Sequence, residues 1–265
     1  MVPAENIRPM IASPKIWNYR RRIQVHATPE GQPGFFAAGS HQVIPIKECL
    51  IADSALNEAL PRLPEFWSQE FQKKTRPSLV TSELTLGMDG KVRIQAGGRE
   101  RFFLQVNEGA NEKLIQAMRQ LLEEQKPQRV LELYAGAGNF TYALQQPGID
   151  WTAVEWDPVA FEEGMQKNSS EEIRWVREKA ERYLKKHREP VEWVIMDPPR
   201  MGAKACLPFL IKRTPRALLY ISCSLKALAN DLKQLLSGNF KLQWIQPFDF
   251  FPHTEHVECL AFLKK

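Results

Sequence analysis

Four short apolar runs recur at intervals in the second half of the chain: Arg129–Tyr134, Trp151–Glu155, Glu192–Asp197 and Ala217–Ser222. Helical patterns lie around them. Gly109–Glu124 precedes the first run, with Leu114, Ile115, Met118, Leu121 and Leu122 on one face. Phe161–Asn168 follows the second, and Leu225–Leu236 follows the fourth, with Leu225, Leu228, Leu232, Leu235 and Leu236 aligned. Strands that are apolar throughout, alternating with helices, form βαβ units with a mostly parallel sheet covered on both faces. From about residue 101 the chain is therefore expected to fold as a Rossmann-like α/β domain, with Val257–Leu263 as an edge or returning strand.

In such a sheet ligands bind beyond the carboxyl ends of the strands. The residues just after each run are the ones to read for chemistry. Leu131–Phe140 runs from a strand into Tyr134-Ala135-Gly136-Ala137-Gly138-Asn139. The glycines allow a tight turn and close approach of a ligand to the backbone. The third glycine of a dinucleotide fingerprint is missing, which disfavours NAD and FAD. Glu155 ends the second run, 19 residues past Gly136, where a carboxylate can accept hydrogen bonds from ribose hydroxyls. A structural turn beside a surface glutamate would look the same if either feature stood alone. Asp197-Pro198-Pro199-Arg200 follows the third run, and the proline pair stiffens a loop that presents Asp197. Cys223 follows the fourth run, just ahead of a helix whose N-terminus is expected to lower a thiol pKa. A lone cysteine is more often inert packing.

Residues 1–100 have another texture. Turn signals at 27–34 and 88–90 separate the strand-like runs Arg22–His26, Phe35–Ala38, Val43–Ile46 and Val92–Gln95, and Ser54–Leu60 flows into a second helix at Leu63–Phe71. This is expected to be a small α+β unit rich in hairpins. Basic residues cluster at Arg20-Arg21-Arg22 and at Lys73, Lys74 and Arg76, and the net charge is +5. An acidic partner such as RNA is permitted by this, though a solvated surface fits equally. With 265 residues and a 43% hydrophobic content the chain can bury its own core. No apolar run approaches the ~20 residues of a membrane span. The start, Met1-Val2-Pro3-Ala4-Glu5, does not read as a secretory signal. A cytoplasmic location is expected, with Cys49, Cys206, Cys223 and Cys259 as free thiols. No two of them form a Cys-x-x-Cys pair, so a zinc ribbon is not indicated.

These motifs resemble, in order and spacing, those of the RNA 5-methyluridine methyltransferases that act on transfer RNA and large ribosomal RNA. The matching segments are Phe103–Asn107, Leu133–Phe140, Asp197–Gly202, Ile221–Cys223 and Phe251–Glu258, with weaker matches at Trp17–Arg22 and from Gly39-Ser40 through Lys47–Cys49. The resemblance implies S-adenosylmethionine as cofactor and a uridine in RNA as substrate, ribosomal RNA being favoured by the Phe-x-Gln-Val-Asn and Tyr-Arg-Arg-Arg segments. It implies Cys223 as nucleophile and Glu258 as base. Gln105, Tyr134, Gly136, Gly138, Asn139, Glu155 and Asp197 would line the cofactor and reaction site. Phe103 would stack on the target base, with Arg20, Arg21 and Arg22 near RNA phosphates. The chain departs from the pattern in three ways. The N-terminal barrel domain of many members is not expected in it. It keeps only Cys49 of the four cluster-ligating cysteines, so no iron–sulfur cluster is expected. It has Ser224-Leu225 where Asn-Pro is usual. A monomer is expected. Two alternatives stay open: a 5-methylcytosine RNA methyltransferase, and a non-catalytic RNA-binding module on the same fold.

Overall fold

The computed structural model describes residues 3–71, 80–87, 89–97, 105–168 and 170–265. Lys73, Lys74, Arg76 and Phe103 lie outside the described residues. Two compact units are present: 14–97 with 105–109, and 3–13 with 110–265.

The smaller unit is an antiparallel sheet with helical cover. Its strands are β1 (Arg22–Ala27), β2 (Pro33–Phe36), β3 (Val43–Pro45), β4 (Thr81–Leu86) and β5 (Val92–Ala96), in the order β3-β2-β1-β4-β5. Helix α1 (Ser54–Ala59) starts at Asp53, whose carboxylate accepts the Ala55 amide at 3.0 Å, and a single 3-10 turn leads to α2 (Leu63–Phe71). Ile23, Val25, Leu56, Leu60, Leu63, Trp67 and Leu84 form its core. The indole of buried Trp67 donates to Ser82 Oγ at 2.8 Å.

The larger unit contains, in chain order, α3 (Glu108–Gln125), β6 (Arg129–Leu133), α4 (Asn139–Leu144), β7 (Asp150–Glu155), α5 (Pro158–Lys167), β8 (Ile173–Arg177), α6 (Ala180–Lys186), β9 (Trp193–Met196), α7 (Leu207–Arg213), β10 (Ala217–Ser222), α8 (Leu225–Ser237), β11 (Lys241–Phe248) and β12 (Glu258–Lys264). The sheet order is β11-β12-β10-β9-β6-β7-β8. Strands β10, β9, β6, β7 and β8 are mutually parallel, and β12 runs antiparallel between β10 and β11. Helices α3 and α4 pack on one face of the sheet, and α6, α7 and α8 on the other. This is the expected Rossmann-like class, and β12 is a returning strand inside the sheet. Strand order reverses between β6 and β9, which opens a crevice at their carboxyl ends.

One expectation of the domain division does not hold for residues 3–13. Ile7 and Ile11 bridge in parallel to Ile245 and Phe248 of β11, and Asn6 Nδ2 donates to Gln243 O at 3.0 Å. The Arg8 guanidinium lies 3.9 Å above the Trp244 ring. This strap extends the larger sheet instead of joining the smaller unit.

Candidate active site

The turn after β6 is built from left-handed backbone. Tyr134, Gly136 and Gly138 have φ of 62°, 56° and 84°. A Cβ on Gly138 would lie 2.4 Å from the Tyr142 ring, so only glycine fits there, whereas the space beside Gly136 is open. Glu155, at the end of β7, holds the turn in place. Its Oε2 accepts the Gly136 amide at 2.8 Å, and its Oε1 accepts the amides of Trp156 and Asp157 at 2.7 and 2.6 Å. Oε1 is thereby filled, whereas Oε2 keeps a lone pair for a ligand hydroxyl. Asn139 opens α4, and its amide is engaged in a reciprocal pair with Asn111 at 2.9 and 3.0 Å. The Tyr134 hydroxyl pairs with the Cys206 thiol at 3.2 Å, and Tyr134 packs with the core beneath the α6–α8 face. Asn139 and Tyr134 thus shape the turn through protein contacts.

Beneath the turn lies a residue that none of the sequence motifs singles out. Glu132 sits inside β6, 1% exposed, and its Oε2 accepts Thr141 Oγ1 at 2.6 Å and the Trp151 indole at 2.8 Å. Burial pushes its carboxyl up to about 7, against those two hydrogen bonds. A charge in a strand buried on both faces was the available signal, because an isolated carboxylate is rarely left there.

Asp197 and Arg200 follow β9, Cys223 follows β10 and Glu258 opens β12, all at one edge of the sheet. In the β10–β12 ladder Ser222 pairs with Cys259. One step beyond, antiparallel register sets Cys223 across from Glu258. Glu258 is 8% exposed, and its Oε1 is buried without a hydrogen-bond partner. Burial, and then the nearby Asp197 carboxylate, push Glu258 up to about 9. Burial also pushes Asp197 up to about 7. The Cys223 thiol is raised by burial and by Glu258, lowered by Arg200, and raised further by Asp197. The expected lowering of this thiol by the helix N-terminus is therefore not what prevails: desolvation and two carboxylates outweigh it. Ser224 caps α8, its Oγ accepting the Ala227 amide at 3.3 Å. Serine and asparagine are both strong N-caps, and the next position tolerates proline or leucine, so Ser224-Leu225 preserves the helix start.

The structure thus brings together the 134–139 turn, Glu155, Asp197, Arg200, Cys223 and Glu258 in one unit. Gln105 belongs to the smaller unit, as do the three arginines. Arg21 is committed there: it pairs with Glu108 at 2.8 Å and donates to Gly87 O at 2.8 Å. Arg22 lies 3.9 Å from Glu83.

A family model described as tRNA (uracil-5-)-methyltransferase matches residues 80–265. The chain belongs to this family. It is accordingly an S-adenosylmethionine-dependent methyltransferase of the RNA uracil-C5 class. An uncharacterized RNA methyltransferase of Bdellovibrio bacteriovorus is 32% identical over 98% of this chain and 68% of its own length. A 23S rRNA (uracil(1939)-C(5))-methyltransferase of Klebsiella pneumoniae is 32% identical over 62% of this chain, which spans only 39% of that protein. Among solved structures, the tRNA (uracil-54, C5)-methyltransferase of Pyrococcus abyssi, in complex with S-adenosyl-L-homocysteine, superposes with a TM-score of 0.75 at 22% identity, covering 96% of this chain and 78% of that one. That likeness establishes the fold of the methyltransferase. No helix among the described residues is long and apolar enough to cross a membrane.

Proposed function

We propose that this methyltransferase modifies carbon 5 of a uridine in ribosomal RNA through a covalent adduct between Cys223 and carbon 6 of the base. The observation that supports this reading best is the register that sets Cys223 across from Glu258, with Asp197 and Arg200 electrostatically coupled to the thiol. The 23S rRNA name of the Klebsiella pneumoniae relative supports the choice of ribosomal RNA, and transfer RNA, named in the family description and in the Pyrococcus abyssi structure, is the competing substrate.

The turn at 134–139, with Glu155 and Asp197, would hold S-adenosylmethionine. The open space at Gly136 and the remaining lone pair of Glu155 Oε2 fit an adenosine-bearing ligand. When bound, that cofactor supplies an electrophilic methyl group and a positive charge. The chain supplies the rest. Carbon 5 of uracil is a weak nucleophile until a thiolate adds at carbon 6 and pushes electron density onto it. Arg200 favours the thiolate form of Cys223. After methylation, carbon 5 must lose its proton before the sulfur–carbon bond can break. Glu258 is placed to take that proton. Among its protein neighbours Glu258 is largely protonated at neutral pH, and a positive charge nearby shifts it towards the ionised form that a base requires. The uridine has to come from a loop or leave its stack to reach Cys223.

RNA carrying 5-fluorouridine at the target tests the mechanism. Fluorine cannot leave as a proton, so wild-type protein should be trapped as a covalent complex. Cys223→Ala should form none, while Glu258→Gln should accumulate a methylated complex on ordinary RNA. Undiminished turnover by Cys223→Ala would overturn the covalent mechanism. Nucleoside mass spectrometry of ribosomal and transfer RNA from a deletion strain decides between the two substrates.

A further inference from the structure

We propose that Asp231 is a positioning residue for methyl transfer, fixing the loop that carries Asp197 and Arg200 against the strand–helix junction that carries Cys223. The inference deepens the proposed function and rests on its reading of Cys223.

Asp231 lies on the inner face of α8, two turns after the N-cap, and is 5% exposed. One carboxylate oxygen, Oδ2, holds two elements at once. It accepts the backbone amide of Ala203 at 2.7 Å and the hydroxyl of fully buried Tyr220 at 2.6 Å. Tyr220 is in β10, three residues before Cys223. Ala203 is in the segment between β9 and α7, three residues after Arg200. A single carboxylate therefore ties α8, β10 and this loop together. Charge-assisted bonds of such length are the strong kind, and their burial keeps water from competing.

The neighbouring residues are adapted to the tie. Gly202 has φ of 81°, and a Cβ there would lie 2.6 Å from Asp231 Oδ2 and 3.3 Å from Ala227 Cβ. The loop can approach the carboxylate only because this position is glycine. The same loop is closed by a turn from Gly202 N to Pro199 O at 2.8 Å. At its far end the Cys206 thiol meets the Tyr134 hydroxyl of the glycine turn at 3.2 Å. Among the described residues Arg200 is the charged side chain that favours the Cys223 thiolate, so a loop released from Asp231 would withdraw that help. A displacement of about 1 Å in a reacting group is enough for a rate loss on the order of 100-fold.

The test compares Asp231→Ala, Asp231→Asn and Gly202→Ala in the full chain. Adduct formation on 5-fluorouridine RNA, methyl transfer from labelled S-adenosylmethionine, cofactor affinity by calorimetry and the pH profile of kcat/KM are measured for each. Asp231→Ala should slow both chemical rates by about 10- to 100-fold, leave cofactor affinity within about threefold, and move the acid limb of kcat/KM to higher pH. Asp231→Asn keeps an oxygen that can accept both donors and should recover most of the rate. Gly202→Ala, which removes no buried group, should reproduce the slow, shifted profile. Wild-type rates in Asp231→Ala, or slowing with an unshifted profile, would overturn the proposal. So would loss of cofactor binding in proportion to rate, because that marks a general loss of structure. If wild-type protein forms no adduct at all, the Cys223 reading fails instead, and methyl transfer by the same variants decides the role of Asp231.

Discussion

Replacing Glu258 by glutamine should stabilise the protein at alkaline pH while disabling it. A carboxyl raised in the fold from 4.5 to about 9 binds its proton more tightly than in the unfolded chain. Below pH 4.5 both states hold the proton and the group is neutral in the balance. As pH rises, the unfolded chain releases the proton first, and each pH unit up to the folded value costs the fold about 1.4 kcal/mol. At pH 8, some 3.5 units above the unfolded value, the penalty is about 5 kcal/mol, a large share of the 5–15 kcal/mol typical of a domain. Glutamine keeps nearly the same shape and never ionises. Urea unfolding followed by the fluorescence of buried Trp151 and Trp193 should show the two proteins within about 1 kcal/mol of each other at pH 4.5. The variant should pull ahead by about 5 kcal/mol at pH 8. Taking the difference between the two proteins cancels groups that do not interact with Glu258. A gap that stays flat from pH 4.5 to 8 would refute the claim that this carboxylate is kept neutral by its surroundings.

Arg200→Gln should move the acid limb of kcat/KM to higher pH, since Arg200 alone of the neighbouring charged groups lowers the Cys223 thiol; lower rates with an unchanged profile would assign Arg200 to RNA contact instead. Within the arginine cluster the single changes should separate. Arg21→Ala should cost the smaller unit about 1–3 kcal/mol through its bonds to Glu108 and Gly87. If Arg20 contacts a phosphate, Arg20→Ala should spare stability and flatten the salt dependence of RNA binding by up to about 0.7–0.9 in logarithmic slope.

The sequence made the parallel core legible because β6, β7, β9 and β10 are short apolar runs separated by helices. The other strands are harder to see. In β8, Ile173, Trp175 and Val176 are interrupted by Arg174 and followed by Arg177, and β11 contains Pro247, which normally argues against a strand. Strand β4, Thr81–Leu86, has only Leu84 and Leu86 as apolar residues, and one of its polar ones, Ser82, accepts the Trp67 indole. At the site, the glycine turn, Glu155, Asp197 and Cys223 could be named from their places at strand ends. Glu258 could be named only from the family resemblance, because a carboxylate ahead of a strand looks like surface until the register across β10 is known. The sequence carries no sign that the thiol is raised, since that follows first from burial and then from carboxylates 35 and 26 residues away in the chain. Asp231 is hidden for the same reason: on a helical wheel it is one polar position, and its partners are on other elements.

Strand β12 also dictates when the enzyme becomes competent as it is made. By the time Ser222 has left the ribosome, the strands that frame the crevice are all synthesised, and the glycine turn and Glu155 can take shape. Glu258 and the ladder that seats it beside Cys223 arrive only with residues 258–264, which must insert between β10 and β11. In order of synthesis, the strands that frame the glycine turn and Glu155 therefore precede the strand that carries Glu258.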